Sequence, residues 1–347
     1  MKEVQNHNTR FESLDWLRGL TALSIMIYHT YTFNFNSLDS SSFLGRLGIY
    51  GVSIFFVLSG LSMAIVYNNY FKSFKDILYF YYRRLMRIVP LFWLTFFLVM
   101  LLHQRIEPFK EWIVNLFFIF GFDENKTTII PGGWSIGVEI YFYLFTPLIL
   151  IAYSYKKWIG RIIIAFLLLY GMQYAFIIFK DVKVLGAFWY HYVSPMNNFF
   201  LFGIGILLFY EFKNVKISNA FCLMGVIISC LIFIYYPVIG NQVYIVKGMN
   251  RFIFSFASIL LVLMFFLMTY QPPRWIVYPL QKFGIATYGV YLLHHLVQQF
   301  LHDYCLLKNP YLLMISTIIL SVIMALFIYK NFEIPFIKLG KKKIFGD

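Results

Sequence analysis

Successive apolar runs, separated by short polar and basic breaks, constrain this chain more than any other feature. Each run approaches the roughly 20 residues that a helix needs to cross about 30 Å of hydrocarbon. Inside a bilayer, backbone N–H and C=O groups must be satisfied within the protein, so such runs form helices unless a closed barrel is built. The runs fall at 14–36, 49–69, 88–104, 134–155, 159–179, 194–211, 219–239, 249–270, 283–303 and 310–330. They predict an all-α polytopic bundle of about ten transmembrane helices. A further apolar stretch at 111–122 is too short to span and reads as a re-entrant or interfacial helix. Composition supports the class: 61% of residues are hydrophobic and 13% charged, with mean hydropathy +0.72. A soluble cytosolic enzyme and a disordered chain are both excluded. The expected organisation is one integral-membrane domain over 1–347, with a short segment 1–12 before the first span and a basic tail at 331–347.

Basic residues orient the bundle. With the N-terminus in the cytoplasm and ten alternating spans, the inner side receives Lys2, Arg10, Arg18, Lys72, Lys75, Arg83, Arg84, Arg87, Lys156, Lys157 and Arg161. Lys213, Lys216, Arg274, Lys282, Lys330, Lys338, Lys341, Lys342 and Lys343 follow, so that 20 of the 29 Lys and Arg side chains lie inside. The positive-inside rule therefore places both termini in the cytoplasm, and it accounts for the net charge of +14 without nucleic acid. The first span carries Arg and His and lacks a cleavage pattern, so it is expected to insert as an uncleaved anchor. Cys222, Cys230 and Cys305 have neither disulfide nor metal-ligand spacing. Asn125-Lys126-Thr127 matches a glycosylation sequon of little weight. Aromatic residues, 22% of the chain, read as packing and lipid-facing surface.

Ionisable side chains inside spans are costly, about 2.5–3.5 kcal/mol on insertion scales, and usually face a partner or a cavity. Arg18 and His29 lie eleven residues apart, which on a helix means the same face within about 20° and roughly 16 Å of axial separation. Glu139 lies five residues past Trp134, about 8 Å into the fourth span, while His29 lies about 9 Å inside the same boundary. An imidazole and a carboxylate at one depth suit general-base chemistry, in which the carboxylate fixes the ring and the other nitrogen takes a hydroxyl proton. A structural His–Glu bridge is the alternative. Arg83, Arg84 and Arg87 fall within about 100° of arc on one helix, an arrangement suited to bidentate capture of phosphate; plain topology is the other reading. His294 and His295 are adjacent in the ninth span, where neighbours diverge by about 100°, so at most one is expected to face a shared cavity. The histidines and cysteines suggest no metal site.

These pieces together resemble the acyltransferase 3 family of membrane acyltransferases. The matching elements are Leu14-Asp15-Trp16-Leu17-Arg18-Gly19 with His29, Gly51 to Gly60, Arg83-Arg84-Leu85-Met86-Arg87-Ile88-Val89-Pro90, Trp134-Ser135-Ile136-Gly137-Val138-Glu139 to Tyr143, Tyr291-Leu292-Leu293-His294 and Glu333-Ile334-Pro335. They occur in order from residue 14 to residue 335. Trp16 and Gly137 depart from the pattern that the resemblance leads one to expect. The resemblance implies O-acetyl transfer from cytoplasmic acetyl-CoA, as a donor substrate rather than a permanently bound cofactor, to a sugar hydroxyl of a cell-surface or exported glycan or lipid-linked sugar. It further implies His29 as catalytic base and Glu139 as active-site carboxylate, with Arg18, Arg83, Arg84 and Arg87 on the donor. Asp15, Trp134, Ser135, Tyr291 and His294 are implied near the substrate. The site would lie in the cytoplasmic membrane, with final transfer inside the bundle rather than by hand-off to a fused extracytoplasmic domain. A carrier or flippase for a lipid-linked glycan, and an enzyme using succinyl-CoA or another acyl donor, are the competing readings.

Overall fold

The computed structural model describes residues 5–104, 107–123, 126 and 128–342, and is helical with no strand among them. The helices are α1 Gln5–Asn34, α2 Phe43–Tyr67, α3 Phe74–His103, α4 Phe109–Leu116, α5 Trp134–Tyr155, α6 Lys157–Gln173, α7 Trp189–Val193 and α8 Pro195–Phe212. Then come α9 Asn219–Tyr235, α10 Val243–Val246, α11 Gly248–Leu267, α12 Arg274–Ile285, α13 Thr287–Asp303, α14 Pro310–Ile328 and α15 Ile334–Gly340. Two π-helical turns, Tyr174–Ile178 and Tyr329–Glu333, extend α6 and join α14 to α15. Residues Asn125 and Thr127 of the sequon, Lys2, and Lys343 of the tail lie outside the described residues.

Among the described residues, seven helices are long and apolar enough to cross a membrane: Phe43–Tyr67, Phe74–His103, Trp134–Tyr155, Lys157–Ile178, Pro195–Phe212, Gly248–Leu267 and Pro310–Gly340. The other three expected spans correspond to α1, which carries Asp15, Arg18 and His29, and to α9 and α13, which have 17 residues each. The ninth run does not begin at 283, because α12 ends at Ile285 and α13 starts afresh at Thr287. The short stretch near 111–122 is the eight-residue α4 followed by a 3₁₀ turn at Ile119–Gly121; at about 12 Å this helix is far too short to span.

The chain divides into two compact units. Unit 1 comprises residues 1–66, 161–192 and 196–287. Small residues let its helices approach closely. A Cβ on Gly19 of α1 would lie 3.1 Å from the Phe283 ring and 3.2 Å from the Gly284 nitrogen, and one on Gly284 would overlap the Asp15 carbonyl. α1 and α12 therefore touch backbone to backbone at the level of Asp15 and Arg18. α2 and α8 do likewise: a Cβ on Gly60 would overlap the Phe202 carbonyl, and one on Gly205 the Val57 carbonyl.

Arg46 anchors the end of α9 in this unit. It is 2% exposed and donates to the carbonyls of Ser40 (2.6 Å), Phe233 (3.0 Å) and Tyr236 (2.6 Å), with longer contacts to Ile234 and Val238. The Phe233 and Ile234 carbonyls are in the last turn of α9, which a helix C-terminus leaves without intrahelical donors. One guanidinium thus ties that turn to the loop carbonyls of Ser40, Tyr236 and Val238.

Unit 2 comprises residues 67–160, 193–195 and 288–347. Ser73 and Asp76 form a capping box that starts α3 at Phe74, and Asn309 caps α14 by accepting from the Leu312 N–H at 3.0 Å, with Pro310 opening the helix. Ile315, Ile319, Ile323 and Phe327 recur at helical spacing on α14 and are all exposed. A stripe of that length would be unfavourable in water and suits hydrocarbon.

Arg46→Ala should lower stability by about 2–3 kcal/mol, because charge-assisted bonds are lost and buried carbonyls are left unmet. Arg46→Lys, with fewer donors in a different geometry, should recover only part of that. Thermal unfolding in detergent reads both, and an unchanged midpoint for Arg46→Ala would remove the anchoring role.

Candidate active site

Unit 1 supplies α1. Asp15 and Arg18, one turn apart, form an ion pair, and Arg18 also donates to the Ser62 hydroxyl of α2. Asp15 therefore orients Arg18, and the guanidinium sits about a quarter exposed between two helices. Three turns further along α1, His29 is partly buried with its ring centroid 5.3 Å from that of Tyr28. The Tyr28 hydroxyl in turn accepts from Gln242 Nε2 at 2.8 Å. Arg18 and His29, the two side chains singled out in the first span, thus sit on one continuous helix.

Unit 2 supplies the arginine motif and Glu139. Because α3 begins at Phe74, Arg83, Arg84 and Arg87 lie inside a helix, nine or more residues from its start. Arg83 stands 5.6 Å above the Tyr70 ring. Arg84 is sandwiched by two rings, Tyr67 at 5.1 Å and Tyr143 at 5.5 Å, and its Nη2 donates to the Tyr67 hydroxyl at 3.3 Å. Cation–π contact of this kind is worth about 0.5–2 kcal/mol and strengthens where water is excluded. The Nε atoms of Arg83 and Arg84 are buried without a hydrogen-bond partner among the described residues, so both guanidiniums keep donor capacity. Arg87 is exposed.

On α5, the Tyr143 hydroxyl donates to Glu139 one turn earlier, and Arg84 lies within electrostatic reach of that carboxylate. Tyr143 therefore serves two charges at once, with its hydroxyl on Glu139 and its face on Arg84. Sequence reasoning treated the aromatic residues as packing; in the structure Tyr67, Tyr70 and Tyr143 are the immediate partners of the arginines. The available signal was the four-residue step from Glu139 to Tyr143, which places them on one helical face.

The turn leading into α5 is fixed by Tyr291. Its hydroxyl donates to the Gly132 carbonyl at 2.9 Å and accepts from Ser135 Oγ at 2.9 Å. Gly132 has φ +76°, a left-handed conformation that glycine adopts without a Cβ clash. Trp134 then opens α5, half-buried. His294, one turn beyond Val290 on α13, is 1% exposed with Nδ1 3.0 Å from the Val290 carbonyl. A carbonyl oxygen only accepts, so that contact calls for a proton on Nδ1. The His295 ring is 4.2 Å from that of His294, so the two rings lie together rather than diverging as their sequence positions suggested.

Within each unit, then, the expected residues gather: Asp15, Arg18 and His29 along α1; Arg83, Arg84 and Glu139 through Tyr67 and Tyr143; Ser135 and Tyr291 at the turn. Donor-rich cations beside a carboxylate, on helices long enough to cross a membrane, make up the candidate site. The family of the acyltransferase domain matches residues 11–330, and the chain belongs to it.

Among curated proteins the chain is similar to the O-acetyltransferase OatA of Staphylococcus aureus (strain NCTC 8325 / PS 47), 25% identical over 366 residues. That alignment covers 95% of this chain and 57% of the relative, so the chain spans little more than half of it. A putative peptidoglycan O-acetyltransferase, YrhL of Bacillus subtilis (strain 168), is 25% identical over 345 residues, covering 85% of this chain and 50% of the relative. A putative acetyltransferase of Acidianus two-tailed virus, ORF330, is 24% identical over 301 residues, with 82% of each chain covered. No solved structure matches.

Tyr291→Phe keeps the ring and deletes the hydroxyl that ties Ser135 to the Gly132 carbonyl. Stability should fall by roughly 1–2 kcal/mol, the worth of a buried hydrogen bond whose partners are left unmet. A melting temperature equal to wild type would show that the turn does not depend on this hydroxyl.

Proposed function

We propose that this chain is an O-acetyltransferase of the cytoplasmic membrane, moving an acetyl group from cytoplasmic acetyl-CoA to a sugar hydroxyl of a cell-surface or exported glycan. The observation that carries the reading is the set of guanidiniums on α3. Arg83 stacks on Tyr70 and Arg84 on Tyr67 and Tyr143, both retain unmet N–H donors, and Arg84 stands within reach of Glu139. Stacking supplies the desolvated side of each cation, and the spare donors suit the phosphates of a nucleotide thioester. The family supports acyl transfer, and the O-acetyltransferase relatives favour acetyl and a hydroxyl acceptor. The excess of Lys and Arg on one side supports both termini in the cytoplasm, with the donor entering there.

In this scheme Arg83, Arg84 and Arg87 hold the donor's phosphates, and Arg18 guides the thioester arm. His29 takes the proton from the acceptor hydroxyl as its oxygen attacks the thioester carbonyl. The carbon–sulfur bond breaks, and the CoA thiolate leaves and is protonated. Glu139 is the active-site carboxylate, kept in place by the Tyr143 hydroxyl. Asp15 holds Arg18, while Ser135, Trp134, Tyr291 and His294 shape the acceptor side.

The test compares envelope glycans from cells with and without the gene by mass spectrometry. An increment of about 42 daltons, an acetyl group replacing a hydroxyl hydrogen, together with free CoA released in proportion, is the expected result. A larger increment would reassign the donor, and no increment with no CoA released would leave a carrier. His29→Ala should lower turnover at least about 100-fold, the lower bound for general-base help, in protein that still inserts. Appreciable residual transfer would remove His29 from the base role.

A further inference from the structure

The last turns of α3 and α13 meet in unit 2 at a cleft to which the proposed reaction gives no task. α3 ends at His103 and α13 at Asp303. Gln104 closes α3 in a left-handed conformation, with its N–H on the Leu101 carbonyl at 3.2 Å. A carbonyl in the last turn of a helix lacks an intrahelical donor, and that of Leu102 accepts instead from the Tyr304 hydroxyl at 2.5 Å. His103 Nε2 meets Gln299 Oε1 at 3.1 Å, a second tie between the same two helix ends. At this junction lies a cavity of about 400 Å³, lined by Leu102, His103, Asp303 and Tyr304. Small-molecule sites fall in the range of roughly 300–1,000 Å³.

The polar groups here keep unused capacity in both senses. Asp303 Oδ1 lies 2.6 Å from His302 Nδ1, while its Oδ2 has no hydrogen-bond partner among the described residues. Gln299 spends its Oε1 on His103, and its Nε2 has no partner among the described residues. The two side chains are four residues apart on α13, so amide and carboxylate are neighbours on one helical face. An acceptor beside a donor matches a pair of adjacent hydroxyls, each of which can both donate and accept. The same carboxylate repels phosphate and other anions. Tyr304 and Phe300 add an aromatic surface: their rings are parallel within 17°, 5.7 Å apart, and both are exposed. A ring face takes the C–H side of a sugar while polar neighbours take its hydroxyls. The Leu102 side chain alone is too little apolar wall for an acyl chain.

α13 runs unbroken from Thr287 to Asp303. His294 and Tyr291, which shape the acceptor side in the proposed scheme, precede Asp303 by nine and twelve residues, about 14 and 18 Å along the axis. In the ten-span orientation the third and ninth spans both run outward, so the cleft opens on the side where an exported glycan lies. We infer that the cleft is a second sugar-binding subsite for the acceptor. Asp303 and Gln299 hold the hydroxyls of one sugar unit against the Tyr304 ring, while another unit of the same glycan presents the hydroxyl that is acetylated. The inference rests on the reading of this chain as a glycan transferase. The subsite touches no reacting atom, so its effect belongs to affinity for extended acceptors rather than to the chemical step.

The experiment uses the full chain in lipid nanodiscs. Unmodified envelope glycan from cells lacking the gene is cleaved, sorted into single-repeat and multi-repeat fragments, and offered with acetyl-CoA while CoA release is followed. In the wild type, KM should be roughly tenfold lower for multi-repeat than for single-repeat fragments, the scale of one hydrogen bond to a charged group. Asp303→Asn and Gln299→Ala should each raise the multi-repeat KM by about three- to tenfold, with kcat within about twofold and the single-repeat KM unchanged. Leu102→Trp, which fills the cleft without removing a polar group, should do the same, and it serves if a polar variant fails to insert. A wild type blind to fragment length, variants that keep the full length preference, or variants that weaken both fragment classes equally would overturn the inference while leaving the transferase intact. No CoA release with any fragment would overturn the transferase reading, and this inference with it.

Discussion

A guanidinium among apolar helices must be matched on every side it presents, and the polar architecture of this protein follows from that requirement. Five arginines meet it in different ways. Arg46 is satisfied by backbone carbonyls and serves only the fold. Arg18 is held by a carboxylate and a hydroxyl. Arg83 and Arg84 lie on tyrosine faces with donors left over, and Arg87 is exposed. The graded satisfaction separates cations that finish a structure from cations that remain available to a ligand.

Tyrosine is the common solution because it offers two surfaces. Its ring accepts a cation without competing for the N–H donors, and its hydroxyl bonds to a neighbouring carbonyl or carboxylate. Tyr143 does both between Arg84 and Glu139. Tyr291 secures the left-handed glycine turn that leads into α5. A lysine at these positions would carry charge but could not stack with the same geometry.

Much of this was legible in the sequence. Apolar runs identify the long helices, and the spacing of Arg18, His29, Arg83, Arg84, Arg87 and Glu139 picks out the charged positions. Boundaries were harder. α3 starts at Phe74, not 88, because arginines interrupt hydropathy without interrupting a helix, and the Ser73–Asp76 cap fixes the true beginning. α9 and α13 are shorter than their apolar runs. Beyond the Glu139–Tyr143 step, the tyrosines were unreadable as partners: composition made them lipid-facing surface, and only tertiary packing shows which ones meet a cation. Glu333 was visible as part of a motif, yet its burial depends on a local change of helical pitch that no apolar pattern announces.

That change of pitch lets one rod face two environments. In a regular helix the outward stripe of Ile315, Ile319, Ile323 and Phe327 would continue in phase to the C-terminus. The inserted residue turns everything beyond Tyr329 by about 100° relative to the turns before it. The same continuous segment therefore presents a hydrocarbon-compatible flank along most of its length and a shoulder carrying Lys330, Glu333 and Lys338 at its end. Register, rather than a loop, separates the two surfaces, and a single deletion between 329 and 333 would merge them.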